Sequence, residues 1–161
     1  MNVLIAYASY YGSTERCAYK IKERLRYLSS IVNVSYFSAD RLQDYDAVII
    51  GSPIHIGRIH RAVRKFLESN KTALAEKDIY LFLCGLDTDI PESVMKDIPD
   101  EIKNKIVFKS LLGGEIVKDN LSGFEKMGIE TMEKKMKTDF SNLKTIDDNK
   151  IEEFIGKINE V

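Results

Sequence analysis

The sequence predicts a doubly wound α/β domain, and three observations predict it. Val3 to Ala8, Ala47 to Ile50 and Ile79 to Cys84 are apolar runs with almost no polar alternation, the composition of parallel strands buried on both faces. Each run breaks into a loop carrying hydroxyls, glycine or proline, and each loop leads into residues with a helical apolar period. Along the chain the pattern reads βαβαβαβαβα, which folds as an open parallel sheet with helices on both faces.

The first strand, Val3 to Ala8, belongs at the sheet centre. From Thr14 to Leu28, apolar residues at Cys17, Ala18, Ile21, Leu25 and Leu28 recur at helical spacing, with Lys20, Lys22, Glu23, Arg24 and Arg26 on the other face. Val32 to Phe37 alternate like a strand nearer an edge, and Ala39 to Tyr45 make a short polar connection. Ala47 to Ile50 form the third strand. A long loop, Gly51 to His60, follows it, and Ala62, Val63, Phe66 and Leu67 mark the second helix.

Ile79 to Cys84 form the fourth strand and Gly85 to Pro91 the loop after it, with a helix predicted over Glu92 to Lys103. Ile106 to Leu112 make a fifth strand, and Ile151, Phe154, Ile155 and Ile158 mark the closing helix. Gly113 to Lys150 is too long for a bare loop in a compact domain and predicts structure of its own. Within it Phe124, Met127, Met132 and Met136 indicate one extra amphipathic helix, whose methionines read either as a soft partner-binding face or, at helical spacing, as core, the expectation here.

A chain of 161 residues suffices for a single domain over 1–161 with a sizeable core. No apolar run approaches the roughly 18 residues of a membrane span. Met1-Asn2-Val3-Leu4 runs into a core strand without a basic leader, which predicts a cytoplasmic protein. Cys17 and Cys84 are too distant for a CxxC pair and read as small buried residues of a reducing compartment, with no catalytic role. A net charge of -1 offers no general attraction for nucleic acid.

In an open parallel sheet the loops after the strands share one edge, and ligands bind there. Ser9 to Thr14 supply hydroxyls at Ser9, Ser13 and Thr14, and a free backbone at Gly12, before a helix whose first amides lack partners. Such residues cradle a phosphate or serve as ordinary helix caps. There is no G-x-G-x-x-G after the first strand and no G-x-x-x-x-G-K-[ST], which removes the usual dinucleotide and triphosphate fingerprints. A receiver domain would need a carboxylate where the third strand ends in Gly51, Ser52 and Pro53. His55 and His60 lack the frame and the paired carboxylate of a metal site, and no metal is expected.

The motifs Ser9-Tyr-Tyr-Gly-Ser-Thr14 and Gly51-Ser-Pro-Ile-His-Ile-Gly-Arg-Ile-His60 resemble those of flavodoxins. Within them, the chain is similar to the group that includes menaquinone-dependent protoporphyrinogen oxidase, and so is the stretch from Lys144 to Ile158. The resemblance covers nearly the whole chain. It implies a flavodoxin-like open five-stranded parallel sheet of order 2-1-3-4-5. It implies FMN as cofactor, its phosphate on Ser9, Tyr10, Tyr11, Gly12, Ser13 and Thr14. Its ring would lie beside Ser52, Pro53, Ile54, His55, Ile56 and Gly57, and beside Cys84, Gly85 and Leu86.

The flavin N5 would carry the chemistry, with no catalytic side chain. His55 reads either as a cover for the ring or as a partly exposed loop residue, and His60 as a feature of the helix start. Asp87, Asp89 and Arg58 read either as ligand contacts or as solvated residues. Two functional expectations follow. One is an oxidoreductase passing electrons to a quinone, porphyrinogen or similar small-molecule acceptor. The other is an electron-transport protein that docks to a redox partner protein. A homodimer is compatible with either.

Overall fold

The computed structural model describes residues 1–37, 39–137, 139–140 and 145–161. Lys144, where the closing resemblance begins, lies outside them. The elements in chain order are β1 (Asn2–Tyr7), α1 (Ser13–Arg24), β2 (Leu28–Asn33), a 3-10 turn (Ala39–Asp44), β3 (Ala47–His55) and β4 (Arg58–Ile59). There follow α2 (Arg61–Ser69), α3 (Lys71–Leu74), β5 (Asp78–Cys84), α4 (Glu92–Lys96) and α5 (Asp100–Lys103). The chain closes with β6 (Ile106–Leu111), a 3-10 turn (Lys118–Asn120), α6 (Gly123–Met136) and α7 (Asp148–Asn159).

Five strands pair in parallel in the order β2-β1-β3-β5-β6, and the two-residue β4 pairs antiparallel with the end of β3. With β4 set aside, this is the expected order 2-1-3-4-5. Alternate residues of the central strands feed two cores. Leu4, Val48, Ile50 and Leu81 pack with Val63 and Leu67 of α2 and with Val94 and Ile102 of α4 and α5. Val3, Ile5, Ile49 and Phe82 pack with Ala18 and Ile21 of α1 and with Ile151, Phe154 and Ile158 of α7. Both faces of the sheet are therefore covered, and polar alternation in its inner strands would have placed a polar group in one core or the other.

Four boundaries differ from expectation. α1 stops at Arg24 and β2 spans Leu28–Asn33, not Val32 to Phe37. A 12-residue helix is about 18 Å long, close to the span of the six-residue β1, so by Arg24 the chain has returned to the level of Asn2. Leu28 then pairs with Asn2, and the parallel register carries through to Asn33 opposite Tyr7. The helix expected over Glu92 to Lys103 is broken into α4 and α5, because Pro99 lacks an N–H and disfavours helical dihedrals at Ile98. Gly51 to His60 is not a loop. β3 continues through it to His55, and Pro53 is tolerated where β3 has outrun β1, whose pairing ends at Gly51. Among the described residues no helix is long and apolar enough to cross a membrane.

Candidate functional site

The segment after β1 begins α1 in a way that leaves the helix start open. Gly12 sits at φ 97°, a left-handed conformation that favours glycine, and its N–H donates to Ser9 Oγ at 2.9 Å. Among the described residues no side chain caps α1. Ser9 thus shapes the turn, and none of the loop hydroxyls satisfies the first amides of the helix. Thr14 is 1% exposed, yet its Oγ1 has no hydrogen-bond partner among the described residues. A buried hydroxyl without a partner costs about 1–3 kcal/mol, so this arrangement calls for an acceptor. The uncapped amides beside it call for the same thing, an anion.

The second wall is a β-hairpin. His55 pairs with Arg58, leaving Ile56 and Gly57 as a two-residue turn with φ of 49° and 67°. Positive φ at both positions is the type I′ geometry, one of the two favoured in two-residue hairpins, and glycine meets it easily. Ile56 does not, since a β-branched side chain in the left-handed region is strained by roughly 1–2 kcal/mol. Ile56 is also 87% exposed, so nothing in its packing offsets that strain. Ile56→Asn is expected to raise the stability of the ligand-free protein by about 1 kcal/mol, measured by urea unfolding.

The base of the hairpin is held by Ser52, whose Oγ accepts from the His60 N–H and donates to the Pro53 carbonyl, both at 2.9 Å. His60 caps α2, its Nδ1 accepting from the Ala62 N–H at 3.0 Å, and burial lowers the imidazole pKa. The Gly57 carbonyl accepts from Ser93 Oγ at 2.7 Å. Arg58 is engaged by Asp97, through Nε contacts of 2.8 and 2.9 Å. Burial opposes ionisation of Asp97, but hydrogen bonds from Arg58 and from the Ile59 N–H outweigh it and hold its pKa below the usual carboxylate range. Arg58 therefore braces the hairpin.

The third wall follows β5. The Gly85 N–H donates to the Gly113 carbonyl at 3.0 Å, and a Cβ on Gly114 would lie 3.1 Å from the Gly85 backbone, so the two segments touch main chain to main chain. Tyr10 bridges the first two walls, its ring centroid 4.2 Å from that of His60 and 5.5 Å from that of His55.

Every residue expected to contact the cofactor, apart from Gly12 and Ser52, lines one cavity of about 550 Å³. Gly12 forms the turn behind it, and Ser52 lies buried in β3. Asp87 also lines the cavity, whereas Asp89 does not. The remaining wall was not legible in the sequence. It is built from Gly114 to Val117 and from α6, through Leu121, Phe124, Gly128, Ile129 and Met132. α6 buries no residue, and Phe124 is 84% exposed. Of the apolar face expected in the core, Phe124 and Met132 line the cavity instead, whereas Met127 and Met136 are exposed away from it. Two contacts tie this wall to the first segment: the Tyr11 hydroxyl with Glu125, and the Arg16 guanidinium with Glu115. Ser122 and Glu125 form a reciprocal capping box that starts α6 beside the cavity.

A family model described as a flavodoxin domain matches residues 4–144. A curated relative, an uncharacterised protein of Methanocaldococcus jannaschii, is 29% identical over 106 residues, which is 65% of this chain and 68% of that protein. Among solved structures, the two-electron reduced flavodoxin of Megasphaera elsdenii superimposes with a TM-score of 0.63 at 16% identity, over 99% of each chain. A flavoprotein of Lactobacillus acidophilus, solved in complex with FMN, gives 0.50 at 17% identity over 70% of this chain and 91% of that one. The structural likenesses speak to the fold, and the match of the family model over most of the chain speaks to descent: this chain belongs to the flavodoxin-domain family.

Proposed function

We propose that residues 1–161 act as one FMN-binding redox domain, with the cofactor in the cavity at the ends of β1, β3 and β5. The observation that carries this reading is the buried, unpartnered Thr14 hydroxyl at the uncapped start of α1. Thr14, Ser13 and the first amides of α1 would hold the phosphate, with Ser9 keeping the turn in shape. The hairpin from Pro53 to Gly57 and the segment Cys84 to Leu86 would flank the ring, and Tyr10 closes the side between them. Bound there, FMN would supply hydride or single-electron transfer at its N5.

The side chains set the conditions for that chemistry. Among the described residues the cavity wall carries Asp87, Glu115 and Glu125 but no lysine or arginine. Arg16 offsets Glu115, but added negative charge in the cavity is disfavoured next to Asp87 and Glu125, which pushes a bound redox group toward stronger reducing power. The wall of Ile116, Val117, Leu121 and Phe124 offers an apolar surface to a second planar molecule. We therefore read the chain as an oxidoreductase passing electrons to a small acceptor of the quinone or porphyrinogen kind, in the manner of the protoporphyrinogen oxidase group. An electron carrier is the second reading, favoured by exposed Ile56, Leu86 and Phe124, apolar residues that a protein partner could cover.

Titration of flavin-free protein with FMN, riboflavin and FAD, followed by flavin fluorescence, tests the cofactor. One FMN is expected to bind at or below micromolar concentration, with riboflavin weaker because it has no phosphate to engage Thr14. Equal affinity for FMN and riboflavin would overturn the placement of the phosphate.

A further inference from the structure

Cys17 and Cys84 are distant in sequence and meet in space. Cys17 is fully buried on α1, one turn beyond Thr14, and Cys84 ends β5 and lines the cavity while remaining 3% exposed. Their sulfurs lie 3.8 Å apart, with the Cys84 S–H directed at Cys17 Sγ. Both are free thiols. The Thr14 hydroxyl lies close enough to Cys84 to act on its thiol, though outside hydrogen-bond geometry in the ligand-free protein, so the two thiols and the hydroxyl form one cluster beneath the proposed phosphate cradle.

We propose that Cys17 and Cys84 are a reversible dithiol–disulfide site, oxidised by small aliphatic disulfides that enter the cavity, and that its disulfide form binds FMN weakly. Among the described residues the cavity offers the route, because Cys84 lines it and Cys17, fully buried, does not. In the first step Cys84 Sγ attacks one sulfur of the entering disulfide. A mixed disulfide forms on Cys84, the entering S–S bond breaks, and one small thiol leaves with the proton from Cys84. In the second step Cys17 Sγ attacks Cys84 Sγ, forming the Cys17–Cys84 bond and releasing the second small thiol with the proton from Cys17. Two cysteines are oxidised and one disulfide is reduced to two thiols.

The surroundings suit Cys17 to this resolving role. The S–H of Cys84 lowers its pKa, with the nearby charges of Lys20 and Arg16 acting in the same direction against burial. The same contact and burial raise the pKa of the Cys84 thiol, so the first attack is the slow step and quickens as pH rises. Closing the bond to about 2 Å draws the end of β5 and the second turn of α1 together. Thr14 stands one turn earlier on the same helix and beside Cys84, so the cradle is displaced with it. Disulfides in a reducing compartment are mostly transient and redox-sensing, which fits a pair reached only through a ligand site.

The dithiol chemistry stands on the cysteine geometry alone, and its effect on FMN rests on the function proposed above. The test exposes full-length, reduced, flavin-free protein to bis(2-hydroxyethyl) disulfide and follows intact mass. Wild type should lose two hydrogens and retain no adduct, Cys17→Ser should keep one adduct on Cys84, and Cys84→Ser should not react. A stable adduct on wild type overturns the proposal. So does inertness of the native protein when the unfolded protein reacts at both thiols, and so does reaction of Cys84→Ser at the wild-type rate. The oxidised protein should bind FMN about tenfold more weakly than the reduced protein, the scale of one lost charge-assisted hydrogen bond. Equal affinity overturns the coupling. Failure of the reduced protein to bind FMN would overturn the cofactor assignment and leave the disulfide result standing.

Discussion

Gly113→Ala is expected to destabilise the protein by about 3 kcal/mol, the sum of overpacking and of an L residue at positive φ. Gly113 has φ 85°, and a Cβ there would overlap the Thr145 carbonyl oxygen. Backbone on both sides is already committed. The Gly113 carbonyl accepts from the Gly85 N–H at 3.0 Å, the Thr145 N–H donates to the Gly114 carbonyl at 2.8 Å, and the Asp147 N–H donates to the Leu112 carbonyl at 3.0 Å. Thr145 Oγ1 also accepts from the Gly114 N–H at 3.0 Å. Relief of the overlap must therefore break at least one of these contacts. In a chain of this length about 3 kcal/mol lowers the melting temperature by roughly 10 °C, which thermal unfolding followed by circular dichroism would register. An unchanged melting temperature would show that the Thr145 segment moves aside freely.

Thr14→Val is expected to act with opposite signs on stability and on binding. Valine keeps the shape of threonine and removes a buried hydroxyl that has no partner in the ligand-free protein, so the melting temperature should hold or rise. FMN affinity should fall by about 1.5–3 kcal/mol, the value of a hydrogen bond to a charged acceptor. Riboflavin affinity should be nearly unchanged. Calorimetric titration of both ligands, with thermal unfolding of the ligand-free variant, gives the three readings. A fall in stability without a selective loss for FMN would make Thr14 a support of the fold.

The order of the elements was legible because it rests on local information. The unalternating runs around Ile5, Ile49 and Leu81 become strands buried on both faces, and the helical periods at Cys17, Ala18 and Ile21 and at Ile151, Phe154 and Ile158 pack on one face of the sheet. Pro99 was equally local, and its break between α4 and α5 follows from proline chemistry once it is noticed. The edge strand was less legible. Leu28 to Asn33 is a poor strand by composition and is held by pairing along β1.

The site divided along the same line. Three of its walls are contiguous stretches at strand ends, and a parallel sheet must bring such ends to one edge, so Ser9 to Thr14, Pro53 to Gly57 and Cys84 to Leu86 were readable as neighbours from the sequence alone. The fourth wall was decided only by the tertiary structure. Periodicity records that a helix has an apolar side but not what covers it, so Phe124 and Met132 read as core residues and stand on the cavity instead. Tyr11 with Glu125, Arg16 with Glu115, and Cys17 with Cys84 each join residues far apart in the chain. Such pairs leave no periodic or compositional trace, because their proximity arises from how the strands and helices stack and not from any residue's own preference.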